Sequence, residues 1–231
     1  MTPPDSQPKI IDHIPLGFDV DSILQRAGLE TGPDHRVLSE KLAREAEALG
    51  SPKALHLVSA VRKETDTSVV IDGVIFTSRV LRVNLDRVDR VFPFVATCGW
   101  ELDRWATARD APLERRLADV ISEVAVYQAL AALKERLRDE HRLAIISRMS
   151  PGSLEDWPLP EQRLLFRVLG DTERAVSVRL AEDLIMLPRK SISGILFASE
   201  ELFESCLLCA RAECPVRLMP YDRELFTRKY S

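Results

Sequence analysis

The sequence predicts an α+β fold, an antiparallel sheet flanked by helices. Apolar residues recur at three- and four-residue steps through Leu113–Arg138, the mark of a long amphipathic helix. Short β-rich segments are broken by turn dipeptides such as Asp72–Gly73. Helices and strands do not alternate regularly, as a parallel βαβ sheet would require. A chain of 231 residues can bury a substantial core without staples. Residues 1–15 read as a flexible extension, 16–198 as the main domain, and 199–231 as a cysteine-rich segment packed on it.

The first helix expected is Asp34–Leu49, with Val37, Leu38, Leu42 and Leu49 on one face and Gly50 as its stop. Ala54–Val61 reads as a strand between Pro52 and a charged stretch. Val69–Ile71 and Val74–Phe76 flank Asp72–Gly73, a pair that tolerates positive φ and so favours a tight hairpin. Val91–Thr97 is a buried strand ending at Cys98–Gly99. In Leu113–Arg138 the spacing marks Leu117, Ile121, Val124, Gln128 and Ala131. Leu143–Ile146 reads as a short strand before a loop over Arg148–Pro158. Pro160–Leu169 is a helix stopped by Gly170, and Val176–Leu180, Ile185–Leu187 and Ser191–Phe197 are strands.

Several function classes are disfavoured. A net charge of −4, with acids and bases interspersed, offers no basic face for nucleic acid. No apolar run approaches the roughly 20 residues of a membrane span. The N-terminal MTPPDSQPK lacks the pattern of a secretory signal, so the expected location is the cytoplasm. The nine glycines stand apart, which excludes a G-x-G-x-x-G cradle and a P-loop. His13, His35, His56 and His141 have no ligand spacing, and no G-x-S-x-G elbow occurs. Arg115–Arg116 reads as a solvated helix face.

Chemistry gathers in three segments. In Arg148-Met-Ser-Pro-Gly-Ser153, Pro151–Gly152 forms a turn that exposes successive backbone groups, and the arginine can clamp a carboxylate through two parallel hydrogen bonds. Taken alone, that pattern is also an ordinary tight turn with a surface arginine. The loop is followed by Asp156-Trp-Pro158 and Glu161-Gln-x-x-Leu-Phe166. The other segments are Met186-Leu-Pro-Arg-Lys-Ser-Ile-Ser-Gly194 and Leu117-Ala-Asp-Val-Ile-Ser-Glu-Val-Ala125.

Together, in order and spacing, these segments resemble the activation domain of vitamin B12-dependent methionine synthase, here as a short stand-alone form. The resemblance implies S-adenosyl-L-methionine (AdoMet) as cofactor. Arg148 would hold its carboxylate, and the turn Ser150, Pro151, Gly152 and Ser153 would frame its adenine and amino-acid ends. Glu123 would meet the ammonium or sulfonium region, while Lys190 and Ser191 would shape the pocket or touch the ligand. Ser153 stands where the family loop ends in tyrosine. The implied function is an enzyme component that reactivates a cobalamin-dependent methyltransferase by reductive methylation of cob(II)alamin. Cobalamin would be held by a corrinoid partner protein, and electrons would come from a donor such as flavodoxin or ferredoxin. The alternatives are a non-catalytic module that binds AdoMet or a corrinoid partner, and an iron–sulfur or zinc protein supplying electrons.

Cys206, Cys209 and Cys214 have C-x₂-C-x₄-C spacing, the last followed by Pro215, and Cys98 offers a fourth thiol. Four thiolates suit Zn²⁺ or a [4Fe–4S] cluster, and the spacing does not choose between them. Reduced thiols in a C-terminal loop are the plain alternative. The resemblance extends here too, through Arg217, Pro220 and Tyr221.

Overall fold

The computed structural model describes residues 7–212, 214 and 217–230. Residues 1–6 of the expected extension and Pro215 of the Cys-Pro pair lie outside the described residues. In chain order the elements begin with β1 (Lys9–Ile11), α1 (Val20–Arg26), α2 (Pro33–Leu49), β2 (Lys53–His56) and β3 (Ser59–Thr65). A hairpin of β4 (Ser68–Ile71) and β5 (Val74–Thr77) leads to α3 (Arg79–Asn84), β6 (Arg90–Thr97), α4 (Trp100–Thr107) and the long α5 (Pro112–His141). Then come β7 (Ile146–Met149), α6 (Gln162–Leu169), α7 (Thr172–Val176), β8 (Arg179–Leu180), β9 (Met186–Leu187) and β10 (Ser191–Ala198). No helix among the described residues is long and apolar enough to cross a membrane.

The main sheet is eight-stranded and antiparallel throughout. β6 is its spine. One edge of β6 pairs with β10, which carries β7 on its far side. The other edge is shared: Ala96 faces Ala54 of β2, and Val91 faces Ser59 of β3. The chain breaks at Leu57–Val58 to change register, and this explains why the expected continuous strand over 54–61 is two strands. Pro93, in the middle of β6, lies opposite that break; its carbonyl accepts from Leu57 N–H at 3.0 Å. The missing proline N–H would point to the same side, where ladder pairing is already interrupted.

Alternation along β6 and β10 builds two apolar layers. Phe92, Phe94, Ala96, Cys98 and Leu196 face α1, α2, α4 and α5. Leu55, Val91, Val95, Ile195 and Phe197 face α3, α6, the β4–β5 hairpin and Trp157. In α5, Leu117, Ile121, Ala125, Ala129 and Leu133 keep the helical period and are fully buried. Each large aliphatic side chain so buried stabilises by about 1.5–3 kcal/mol.

Several expectations change in detail. The buried face of α2 is Ser39, Leu42, Ala43 and Ala46, while Val37 and Leu49 are exposed. Residues 9–11 of the expected extension form edge strand β1 on β2. In the segment expected as a strand at Val176–Leu180, Val176 is the last residue of helix α7, and only Arg179–Leu180 are extended. The strand expected at Leu143–Ile146 starts where that span ends, so Arg148 lies within β7 rather than in a loop. The hairpin follows expectation, with φ of 47° at Asp72 and 79° at Gly73.

Candidate functional site

Register decides where Arg148 points. It faces Leu196 across the β10–β7 pair, so its side chain lies on the α5 side of the sheet. α5 presents Arg116, Asp119, Glu123, Tyr127 and Lys134 along one side, at successive helical steps. Glu123 lies 3.6 Å from the Arg26 guanidinium and 3.9 Å from the Lys190 ammonium. Lys190 also pairs with Asp119 at 2.8 Å. The start of β10 is thus stitched to the middle of α5. One turn beyond Glu123, the half-buried Tyr127 lies in the field of Arg148, Glu123, Arg26 and Glu204. Burial pushes its phenol pKa up, with Arg148 opposing.

Arg148 is not free. Its Nη2 lies 3.2 Å from the Glu204 carboxylate, which also meets Lys134 at 3.5 Å. All three side chains are nearly buried. Desolvation draws the Lys134 pKa down, and Glu204 counteracts it. Arg148 N–H also donates to Phe203 O at 3.3 Å, so the segment after β10 runs along the outer edge of β7.

Beyond β7 the turn carries Ser150–Ser153 away from α5. Gly152 adopts φ of 81° and donates to Trp157 O at 2.8 Å, closing the loop. The loop is anchored by its own motif. The Asp156 carboxylate accepts from Ser78 Oγ and from the first backbone N–H groups of α3, at 3.1 and 3.0 Å. Trp157 is fully buried, edge-on to Phe76. Ser150 packs against Gly194, where a Cβ would stand 2.3 Å from Met149 O and 2.7 Å from Ser150 Oγ. Pro151 is buried, and Ser153 lines a cavity of about 460 Å³ with Leu208, Cys209 and Phe226. Ser191 spends its hydroxyl on Thr97 Oγ1 and Pro188 O.

Glu123, Arg148 and Lys190 therefore gather on the α5 side, Ser150 touches the same strand pair, and Ser153 lies around the sheet end beside the C-terminal segment. The sequence reading did not single out Tyr127, although it sits four residues from Glu123 on one helix. It also did not reach Glu204, Lys134 or Arg26, because no local pattern links them to Arg148 or Glu123.

The sheet separates Cys98 from the segment that carries the other expected thiols. Cys98 is fully buried on the helical face, its thiol donating to Gly99 O, and burial pushes its pKa up to about 12. Leu207 and Leu208, which adjoin Cys206 and Cys209, pack on the opposite layer. Arg217 folds the C-terminal loop by donating to the carbonyls of Cys206, Cys209 and Met219 at 3.2, 3.3 and 3.5 Å, and to that of Arg211. Among the described residues, no three His, Cys, Asp or Glu side chains come together as a metal-binding group.

No protein-family model and no curated protein matches this chain. Among solved structures, it is similar to the crystal structure of the MetH reactivation domain bound to AdoHcy. The TM-score is 0.62 and the identity 14%, with 89% of this chain and 84% of that one covered. The chain has a reactivation-domain-like α+β fold.

Proposed function

We propose that this protein binds AdoMet and reactivates a cobalamin-dependent methyltransferase of the methionine synthase type, presenting a methyl group to cob(II)alamin on a partner. One observation carries the reading: three segments remote in sequence, at Glu123, Arg148 and Lys190, meet on one side of a reactivation-domain-like sheet. The solved reactivation domain carries AdoHcy, which shares AdoMet's nucleoside and amino-acid parts.

The residues fit such a ligand. A carboxylate needs a cationic clamp, and an ammonium or sulfonium needs an anion nearby. Arg148 and Glu123 supply these, both within the electrostatic reach of Tyr127. Arg148 commits one N–H to Glu204, and a guanidinium has five, so a ligand carboxylate can share it. Gly152, at positive φ, lets the turn close on Trp157 O beside the β7–β10 strand pair. Bound AdoMet supplies an electrophilic methyl carbon on sulfur. The protein's task is then placement, which needs no general acid or base. Partners implied by this role are a corrinoid protein and a one-electron donor of the flavodoxin or ferredoxin class.

Equilibrium dialysis with labelled AdoMet tests the first half. The wild-type chain retains label, and Arg148→Ala weakens retention about tenfold or more, as loss of a charged hydrogen-bond partner predicts. Absence of retention by the wild type sinks the proposal. Label transfer to a cob(II)alamin-loaded partner under reductant tests the second half and separates a reactivator from a binding module.

A further inference from the structure

A cavity of about 650 Å³ lies between α1, α5 and the C-terminal segment, lined by Ser22, Gln25, Arg26, Arg116, Tyr127 and Arg217, with Gly28 and Leu218 completing the wall. Three guanidinium groups from three separate parts of the chain line it, and no carboxylate does. Arg26 is offset by Glu123 at 3.6 Å. Arg217 donates only to neutral carbonyl oxygens. Arg116 has neither an ion pair nor a side-chain hydrogen bond among the described residues. About two positive charges are therefore left without an anionic partner at one solvent-open cavity, where an entering anion would be attracted.

The backbone admits this arrangement. Gly28 has φ of 61°, and a Cβ there would lie 3.0 Å from Arg116 Nη2. A glycine thus lets that guanidinium lie over the end of α1, beside the Ser22 hydroxyl and the Gln25 amide. We propose that this cavity is a second ligand site, for a small phosphate monoester or diphosphate. A phosphate monoester carries about −1.5 to −2 at neutral pH, matching the surplus, whereas one carboxylate matches half of it. The unpartnered Arg116 fork suits phosphate oxygens, Arg217 adds charge while its terminal N–H groups stay on carbonyls, and the Tyr127 ring with Leu218 offers an apolar wall for the esterified group. The volume lies in the range of about 300–1,000 Å³ common for small-molecule sites. The proposal does not rest on the AdoMet reading, although the two regions adjoin through Tyr127 and the Arg26–Glu123 pair.

Calorimetric titration with pyrophosphate, with inorganic phosphate, and with chloride at matched ionic strength tests it. Saturable 1:1 binding of pyrophosphate is expected, weakened about tenfold or more in Arg116→Gln and unchanged in Arg87→Gln, a control on an exposed arginine. AdoMet retention by Arg116→Gln should equal that of the wild type. Should Arg116→Gln misfold, Arg116→Lys replaces it, keeping the charge while removing the fork. An equal response to chloride, unaltered pyrophosphate binding in both variants, or parallel loss of AdoMet and pyrophosphate overturns a separate site. A wild type that ignores AdoMet but binds pyrophosphate sinks only the earlier reading.

Discussion

His56 is 1% exposed, and neither ring nitrogen has a hydrogen-bond partner. Burial lowers its pKa from 6.5 to about 4. Between those values the unfolded chain binds a proton that the folded chain refuses, so stability rises with pH across the window and falls as the solution is acidified. The loss approaches about 3 kcal/mol at pH 4, and His56→Leu should flatten that part of a urea-midpoint profile. Cys98 makes a second residue-scale prediction. With its thiol buried and its pKa near 12, it should escape alkylation at pH 8 in the native protein, while half-exposed Cys206 and Cys209 are modified, as peptide mass spectrometry would read. At this scale the sequence was informative where chemistry was local. The Arg148–Gly152 turn could be recognised from its own residues, but the Glu204 carboxylate on Arg148 is a tertiary contact 56 residues away in the chain.

Among the elements, β10 and β7 meet at their closest where Gly194 backs onto Met149. Gly194→Ala puts a methyl against a backbone carbonyl, which cannot yield as a flexible side chain would. The variant should lose on the order of 2 kcal/mol of stability and also lose AdoMet retention, because Arg148 moves with β7. Asp156→Ala should cost about 1–2 kcal/mol by uncapping α3 and freeing the loop, visible as a lower urea midpoint. Periodicity disclosed the long helix, the hairpin and the core strands. It failed on α1, α3 and α4, whose lengths of six to eight residues give too few turns to display a stripe. In α5 the expected face drifted toward Val124, Gln128 and Ala131, whereas packing selects the 117–121–125–129–133 row.

For the whole molecule, the segment after β10 joins both layers. Phe203 and Leu207 pack on one side of the sheet, Glu204 lies along the β7 edge, and Arg217 reaches the cavity under α1 on the other side. A chain truncated after Ala198 should therefore melt several degrees lower and self-associate through its bared edge strand, as light scattering would detect. It would also remove the Glu204 anion shared by Lys134 and Arg148. The sequence suggested that this segment packs on the domain, but not which layers it joins, because Glu204 and Arg217 meet their partners far away in the chain.

The division of one β6 edge between β2 and β3 carries a mechanical consequence. The arm formed by β3, β4 and β5 is joined to the spine by two paired positions, Ser59 with Val91 and Ala60 with Arg90. So narrow a joint can rock while the layers on either side stay intact, and amide exchange in the arm should outpace that in β6. Ser78, just past the arm's last strand, is bonded to Asp156. Displacement of the arm is therefore passed through the Ser78–Asp156 bond to the 150–157 loop.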